Sequence, residues 1–181
     1  LARVTFTTSA GVHGGTLAEF AIFGLLAGAQ DLRRLERNQR AHAWPTIRVH
    51  PRHLDEMRVL VLGLGGIGKA VASRLKAFNA EVWGTSRSGR DVDNVDRIVP
   101  LSQLHGALGK VDAVVVTFPG TDETRHMLNR DAFAAMKKGT ILANVGRGSV
   151  IDEESLLDAL DNGTVDFAAL DVVEREPLPD E

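Results

Sequence analysis

The sequence has 181 residues, of which 44% are hydrophobic and 25% charged, so its composition is that of a globular protein rather than a disordered or fibrous one. A net charge of −3 excludes the broad positive field that draws proteins to nucleic acids or anionic lipids. The longest apolar run, over residues 20–29, is about half of the ~20 residues that a membrane span needs. The absence of cysteine excludes disulfides and thiolate chemistry and favours a cytoplasmic location. The net charge and the short apolar run together predict that neither a nucleic acid nor a membrane is a partner.

The N-terminal quarter predicts a linker over residues 1–15 and one long helix. Thr16 followed by Glu19 is a capping-box pattern, so we expect a helix over residues 17–39. Its first three turns are apolar on nearly all sides, and both faces therefore need cover. Two interpretations stay open, a central core helix or a helix that contacts another subunit or domain. We favour the second, which makes residues 16–45 an interface helix and loop.

From residue 55 onward, short apolar runs alternate with segments of helical period, which is typical of βαβ units. The runs are apolar throughout, as expected for a parallel sheet covered by helices on both faces. The predicted strands are Met57–Leu62, Glu81–Thr85, Ala113–Thr117, Ile141–Val145 and Phe167–Val172. The predicted helices are Gly66–Phe78, Leu101–Ala107, Arg130–Met136 and Glu153–Leu160, with Asn129 and Asp152 as N-caps of the last two. Residues 55–181 thus predict an α/β domain built on a doubly wound parallel sheet.

The first predicted strand runs into Gly-Leu-Gly-Gly-Ile-Gly, residues 63–68, and then into a helix. This is the Gly-x-Gly-x-x-Gly pattern of Rossmann-type domains in the strand–turn–helix setting that it requires. Gly63 permits the tight turn, Gly65 lets the backbone approach a diphosphate, and Gly68 lets the helix pack on the strand. The pattern predicts a dinucleotide site, the alternative being a structural glycine-rich turn.

The second predicted strand ends where NAD sites place a carboxylate for the ribose 2′-hydroxyl, but no carboxylate is present there. The sequence has Ser86, Arg87 and Ser88 instead, with Arg90 close behind. Hydroxyls and guanidinium groups bind the 2′-phosphate of NADP, which a carboxylate would repel. NADP is therefore favoured over NAD, unless these arginines belong to an ordinary solvated loop.

A third pattern, Asn144-Val-Gly-Arg147-Gly, ends a predicted buried strand. Ligands of open α/β sheets bind outside the carboxyl ends of the strands, so Arg147 is expected in the crevice. A guanidinium there suits a substrate carboxylate, although the segment is also explained by a structural turn.

Four motifs in order resemble the D-isomer-specific 2-hydroxyacid dehydrogenases, a family that includes phosphoglycerate dehydrogenases and glyoxylate/hydroxypyruvate reductases. They are the glycine loop at 63–68, Thr117 to Asn129, Asn144 to Asp152, and Ala169 to Pro179. The resemblance covers nearly the whole chain. It implies the NAD(P)-binding domain of an oxidoreductase that transfers hydride between the cofactor and a small 2-hydroxy or 2-keto acid. It also implies a homodimer formed through helix 17–39 and the loop that carries Trp44.

The resemblance assigns expected roles to individual residues. Arg147 is similar to the arginine that binds the carboxylate and carbonyl of a 2-keto acid, and Glu176 to the acid that polarises a catalytic histidine. The implied cofactor contacts are Gly66 and Ile67 at the diphosphate, Ser86 and Arg87 near the adenosine ribose, Phe118 and Pro119 along the cleft, and Val145, Gly146 and Asp171 at the nicotinamide.

Two departures from the family limit what these 181 residues are expected to do. The catalytic histidine belongs downstream of Glu176, and none of the six histidines occupies that place, namely His13, His42, His50, His53, His105 and His126. The separate substrate domain is missing as well. We therefore expect a fragment that binds cofactor and is inactive. A nucleotide-sensing dimerisation module of the corepressor type is the alternative, but a sensor needs neither Arg147 nor Glu176.

Overall fold

A computed structural model of the chain describes residues 12–45, 51–86 and 89–178. Within these ranges, six strands form one parallel sheet in the order β3-β2-β1-β4-β5-β6. The strands are β1 (Arg58–Leu62), β2 (Glu81–Thr85), β3 (Arg97–Val99), β4 (Ala113–Val116), β5 (Thr140–Asn144) and β6 (Val165–Leu170). The chain runs outward from β1 to β3 and then restarts at β4, on the other side of β1. This is the doubly wound Rossmann order, which confirms the predicted fold class.

Helices cover both faces of this sheet. They are α1 (Gly14–Ala29), α2 (Leu32–Arg40), α3 (Gly66–Ala77), α4 (Leu104–Leu108), α5 (Arg130–Ala134) and α6 (Glu153–Asp161). Along β1, Val59 and Val61 face the core formed with α1 and α3, whereas Leu60 and Leu62 face the core formed with α4, α5 and α6. All four side chains are fully buried, which is why the strand is apolar without alternation.

The single helix predicted over residues 17–39 is wrong, because the chain breaks into α1 and α2. Asp31 between them has φ +49°, a left-handed conformation, and its side chain caps α2 by accepting from the Arg34 amide at 3.4 Å. The predicted capping box is also wrong, since α1 already begins at Gly14 and Thr16 lies inside it. The apolar pattern stops at the end of α1, and none of the residues of α2 is buried. Residues 1–11 of the predicted linker lie outside the described residues.

Helix α1 is mostly a core helix, with nine of its sixteen residues buried. It lies directly on β5 and β6. A Cβ atom at Gly24 would be 2.4 Å from the Cβ of Ala169, and one at Gly28 would be 3.0 Å from side-chain atoms of Ile141 and Phe167. Only a helix with glycines at these positions approaches the strands so closely.

The other predicted elements agree with the structure to within two residues at each end, except that the helix predicted from Leu101 begins with a 3-10 turn, Leu101–Gln103, and α4 starts at Leu104. Strand β3 was not predicted. Asn129 caps α5 by accepting from the Ala132 amide at 3.0 Å, as predicted. Asp152 occupies the N-cap position of α6, as predicted, but its side chain makes no capping hydrogen bond. Its carboxylate instead accepts from the Ser155 hydroxyl at 2.8 Å, and this bond lowers the pKa of Asp152. No helix in the described ranges is long and apolar enough to cross a membrane.

Candidate functional site

The carboxyl ends of all six strands meet at one edge of the sheet, because the strands are parallel. A cleft of about 430 Å³ opens at this edge. It brings together residues at or after the ends of β1, β2, β3 and β4, which include five of the predicted site residues. The lining residues are Gly63, Leu64, Gly65, Thr85, Ser86, Leu101, Phe118, Pro119, Glu123, Thr124 and Met127. Arg87 and Ser88, predicted at the same end of β2, lie outside the described residues.

The glycine loop between β1 and α3 has a different spatial requirement at each glycine. Gly63 has φ +102°, which side-chain-bearing residues rarely adopt, and a Cβ there would lie 2.9 Å from the Phe118 ring. A Cβ at Gly68 would lie 1.9 Å from the Gly63 carbonyl oxygen, so the first turn of α3 packs against the end of β1. A Cβ at Gly65 would meet no atom within 4 Å. The backbone at Gly65 is therefore open to an approaching group.

The N-terminus of α3 faces this open space. Gly65 is its N-cap, no side chain caps it, and its first turn contains no acidic residue. The leading N–H groups of a helix lack partners within the helix and carry the positive end of its dipole. Gly66 is exposed, while Ile67 is half-buried and packs on the core beneath. These properties fit the diphosphate of a dinucleotide.

Two threonines hold the first residue of the glycine loop. The Gly63 amide donates to Thr85 Oγ1 at 2.9 Å, and Thr117 Oγ1 donates to the Gly63 carbonyl at 2.5 Å. The Leu64 amide also donates to the Thr85 carbonyl at 3.1 Å. Sequence reasoning did not identify either threonine as a site residue. The available signal was that each is the polar residue at the end of an apolar run, Val-Trp-Gly-Thr and Val-Val-Val-Thr.

The loop after β5 is held by its own asparagine. Asn144 is 1% exposed, its Oδ1 accepts from the Gly146 amide at 3.0 Å, and its Nδ2 donates to the Arg147 carbonyl at 3.1 Å. A Cβ at Gly146 would lie 2.6 Å from the Phe118 carbonyl oxygen, so this loop lies against the segment that lines the cleft. The side chain of Arg147 is exposed, lies beside Gly120, and donates from Nη1 to the Gly146 carbonyl at 2.7 Å. Arg147 thus lies at the same edge as the glycine loop.

Val145 and Asp171 lie next to this loop in different ways. The side chain of Val145 is 1% exposed and belongs to the core on the α1 side. Only its main chain is therefore available at the edge, where the Val145 amide donates to the Val116 carbonyl at 3.0 Å. Asp171 is exposed, and its amide donates to the Asn144 carbonyl at 2.9 Å.

Glu176 lies on the exposed segment that follows β6. Its Oε1 accepts from the Val173 amide at 3.1 Å. A Cβ at Gly148 would lie 2.0 Å from the Val173 carbonyl carbon, so this segment packs on the loop that carries Arg147. The arrangement brings the segments of the two predicted catalytic residues into contact.

The histidine–glutamate pair that the described residues contain is His126–Glu174. His126 Nε2 lies 3.0 Å from Glu174 Oε1, and Arg125 Nη2 lies 2.7 Å from the same oxygen. The pair connects the segment that carries Glu176 with the turn that contains Thr124, one of the residues lining the cleft. It is a different pair from the one that the family resemblance predicts for Glu176.

Known proteins resemble this chain in sequence and in structure. A curated relative is glyoxylate/hydroxypyruvate reductase B from Serratia proteamaculans (strain 568), 43% identical over 120 residues, which are 66% of this chain and 37% of the relative. A protein from Corynebacterium melassecola described only as uncharacterized is 35% identical over 98% of this chain and 59% of its own length. The chain thus spans less than two thirds of either relative.

Two solved structures have the same fold. The D-isomer specific 2-hydroxyacid dehydrogenase from Xanthobacter autotrophicus Py2, in complex with NADPH and MES, is 40% identical with a TM-score of 0.87, over 95% of this chain and 54% of that one. The NADPH-dependent glyoxylate/hydroxypyruvate reductase from Sinorhizobium meliloti, in complex with NADP and sulfate, is 29% identical with a TM-score of 0.86, over 97% of this chain and 56% of that one.

Residues 22–181 match the family described as D-isomer specific 2-hydroxyacid dehydrogenase, NAD binding domain. The match includes all six strands and begins within α1. It agrees with the sheet order, with the glycine loop and with the resemblance seen in the four sequence motifs. The chain therefore belongs to the D-isomer specific 2-hydroxyacid dehydrogenase family, of which it contains the NAD-binding domain.

Proposed function

We propose that this chain binds NADP in the cleft at the carboxyl edge and forms part of an enzyme that exchanges hydride between NADP and a small 2-keto or 2-hydroxy acid. The observation that carries the proposal is the open backbone at Gly65, beneath the uncapped N-terminus of α3. A diphosphate at this position receives N–H donors and the positive end of the helix dipole. The adenosine end then extends toward Ser86 and the nicotinamide end toward Gly146 and Asp171.

The preference for NADP rests on the residues after β2. Ser86, Arg87 and Ser88 stand where NAD-specific sites carry an acid, and Arg90 follows. Both solved relatives described above were crystallised with the phosphorylated cofactor. NAD remains the alternative cofactor, to be tested directly.

Arg147 and Glu176 carry the proposed substrate chemistry. The bound nicotinamide supplies or accepts the hydride. Arg147 binds the carboxylate of the 2-keto acid through its planar donors and draws electron density from the adjacent carbonyl. Glu176 orients a histidine, which must come from outside these 181 residues and gives a proton to the carbonyl oxygen. Because that histidine is not among these 181 residues, we expect them alone to have no turnover.

The cofactor proposal is tested by calorimetric titration of the chain with NADPH and NADH. We expect NADPH to bind at least about tenfold more tightly, because one charge-assisted contact contributes ~1.5–3 kcal/mol. Arg87→Gln should remove most of this preference. Arg130→Gln is the matched control, because Arg130 is exposed and pairs with Asp158 away from the cleft. Equal affinities for the two cofactors in the wild-type chain would contradict the NADP assignment.

The reaction is tested on the complete gene product with glyoxylate and hydroxypyruvate, by following NADPH oxidation. Arg147→Gln should raise KM strongly, because it removes the group that binds the substrate carboxylate. Turnover of neither acid would favour the alternative of a nucleotide-sensing module. The three relatives described above whose names state an activity are two reductases and one dehydrogenase, which supports the enzyme.

Self-association is proposed through residues 16–45. Phe23 on α1 is 60% exposed, Leu35 on α2 is 50% exposed and Trp44 is 87% exposed, and contact with a second copy of the chain would cover these large apolar side chains. Light scattering at micromolar concentration should give the mass of a dimer, and Phe23→Glu should give that of a monomer. A monomeric wild-type chain would contradict the proposal.

The lack of cysteine supports a reducing, cytoplasmic setting for the enzyme.

A further inference from the structure

Gly63 is bonded on both of its main-chain polar groups by side chains from the strands that flank β1. Thr85 ends β2 and accepts from the Gly63 amide at 2.9 Å. Thr117 follows β4, on the other side of β1, and donates to the Gly63 carbonyl at 2.5 Å. The two hydroxyls therefore hold one peptide position from opposite directions.

Both hydroxyls lie in surroundings where water is a poor substitute. Thr85 is 1% exposed, and Thr117 is partly buried. The Thr117 oxygen lies 3.0 Å from where a Cβ of Gly68 would be, so it is packed between the start of the loop and the first turn of α3. Removal of either hydroxyl leaves a main-chain group of the half-buried Gly63 without its protein partner, which weakens the hold on this residue.

Gly63 is the residue of the loop for which such bonds matter most. Glycine has more backbone freedom than any other residue, and Gly63 uses the region near φ +102°. Without the two bonds, we expect the backbone at Gly63 to reach conformations other than the one in this structure. Apparent affinity falls in proportion to the fraction of molecules in the binding conformation.

We propose that Thr85 and Thr117 are positioning residues that fix Gly63 from the two neighbouring strands, and thereby set the glycine loop in the conformation that binds the diphosphate of the cofactor. The inference rests on the proposed binding of NADP in this cleft. Neither threonine need touch the cofactor through its hydroxyl. Thr85 also precedes Ser86 directly, so it connects the loop for the diphosphate with the residue at the start of the ribose segment.

The test compares Thr85→Val, Thr117→Val and the double variant with the wild-type chain, by calorimetry with NADPH at a temperature at which circular dichroism shows every variant folded. Valine keeps the shape of threonine and removes the hydroxyl. We expect each single variant to bind NADPH about tenfold more weakly, the equivalent of roughly 1.4 kcal/mol. Thr85→Ser and Thr117→Ser retain the hydroxyl and should restore affinity to within about threefold of wild type.

Thr140→Val is the matched control. Thr140 is also 1% exposed, and its hydroxyl donates to the Lys137 carbonyl at 2.8 Å, but it lies at the opposite edge of the sheet. It should lose stability and keep NADPH affinity within about twofold, because its lost bond is of the same kind but far from the loop. Thr117→Val should likewise leave the affinity for adenosine 2′-monophosphate, which has no diphosphate, within about twofold.

The outcomes separate this inference from the function on which it rests. If the wild-type chain binds no NADPH, the proposed function fails and this inference with it. If the wild-type chain binds NADPH and both valine variants bind equally well, the inference alone is overturned. It is also overturned if Thr140→Val weakens binding as much as Thr85→Val does. Alanine at either position removes the same hydroxyl and replaces a valine variant that does not fold.

Discussion

The loop after β1 and the loop after β5 lie at the same edge of the sheet, and side chains hydrogen-bond to the main chain of both. The two loops differ in whether these side chains are distant or close in sequence. Gly63 in the first loop is bonded by Thr85 and Thr117, which belong to the neighbouring segments on either side. In the second loop, Asn144 bonds two residues that follow it within three positions. The first loop therefore depends on correct assembly of three strands, whereas the second is specified locally. Substitutions in the two loops should consequently differ in how far their effects extend.

The largest effect is expected from Gly68→Ala, which acts on the loop that depends on assembly. Its Cβ would lie 1.9 Å from the Gly63 carbonyl oxygen, so α3 must move away from β1. We expect NADPH binding to become undetectable and the free energy of unfolding to fall by about 1–3 kcal/mol, as for overpacking of a core. Calorimetry and urea denaturation measure the two effects.

Gly106→Ala in α4 is the control for this substitution, because a Cβ at Gly106 would meet no atom within 4 Å. It should raise stability, by up to about 1 kcal/mol, since alanine favours a helix more than glycine does. If Gly68→Ala were no more harmful than Gly106→Ala, the first loop would not depend on close packing against α3.

An intermediate effect is expected from Asn144→Ala in the second loop. The substitution leaves the Gly146 amide and the Arg147 carbonyl without their partner, in a position that is 1% exposed. We expect a loss of about 1–3 kcal/mol in the free energy of unfolding, with NADPH affinity reduced less than in Gly68→Ala.

Asn162 supplies the matched comparison for Asn144. Its Oδ1 accepts from the Thr164 amide at 3.0 Å, the same spacing of two residues, and also from Thr164 Oγ1 and Lys138 Nζ, but Asn162 is exposed at the other edge of the sheet. Asn162→Ala should cost less than Asn144→Ala, because Asn162 and the Lys138 ammonium are exposed and water replaces part of the lost bonding. Equal losses for Asn144→Ala and Asn162→Ala would mean that the second loop gains nothing from burial of its asparagine.

The smallest effect is expected from Asp96→Asn, which tests how the β2 side of the first loop is supported. The Asp96 carboxylate accepts from the Val82 amide at 2.7 Å and from Lys76 Nζ at 3.0 Å. Burial raises the pKa of this carboxyl, but the bonds to Val82 and Lys76 outweigh burial and hold it below its usual value of 3.8. The stabilisation is therefore present above about pH 4 and is lost as the pH falls further.

Asp96→Asn should lower the free energy of unfolding by about 0.5–1 kcal/mol at pH 7, a small value because the ion pair is partly exposed. The difference from wild type should shrink as the pH falls below 4, and urea denaturation at several pH values measures it. A difference that grows in acid would contradict this account. NADPH affinity at pH 7 should stay close to that of wild type, since Asp96 lies before β3 and outside the cleft-lining set.

The parts of the fold that sequence predicts well are those with local signals. Continuous apolar runs predicted five of the six strands, because burial on both faces leaves no room for polar residues. The glycine loop was predicted from its strand–turn–helix setting. Strand β3 has only three residues and pairs along one side, with β2, so no run of sufficient length marks it.

The missed features depend on contacts between distant parts of the chain. Thr85 and Thr117 are 32 residues apart in number, and their shared bond partner becomes apparent only once β2, β1 and β4 are known to be neighbours. The break between α1 and α2 was not predicted, because it depends on the left-handed conformation of Asp31. Aspartate tolerates this conformation, but its presence in a sequence does not indicate it. Local pattern therefore predicts the elements, and the sheet order decides which side chains support the site.

The close seating of α1 has a consequence for how the protein is made. This helix leaves a ribosome before the six strands of the sheet, yet Gly24 and Gly28 bring it against Ala169, Ile141 and Phe167, which follow it by more than one hundred residues. The part of its binding surface that β5 and β6 supply does not exist until more than one hundred further residues have been added, although α3 is made earlier. During synthesis, the apolar face of α1 that packs on these strands therefore stays exposed. Contacts between residues so far apart in sequence slow folding, and the exposed face makes the nascent chain prone to aggregation and to chaperone binding.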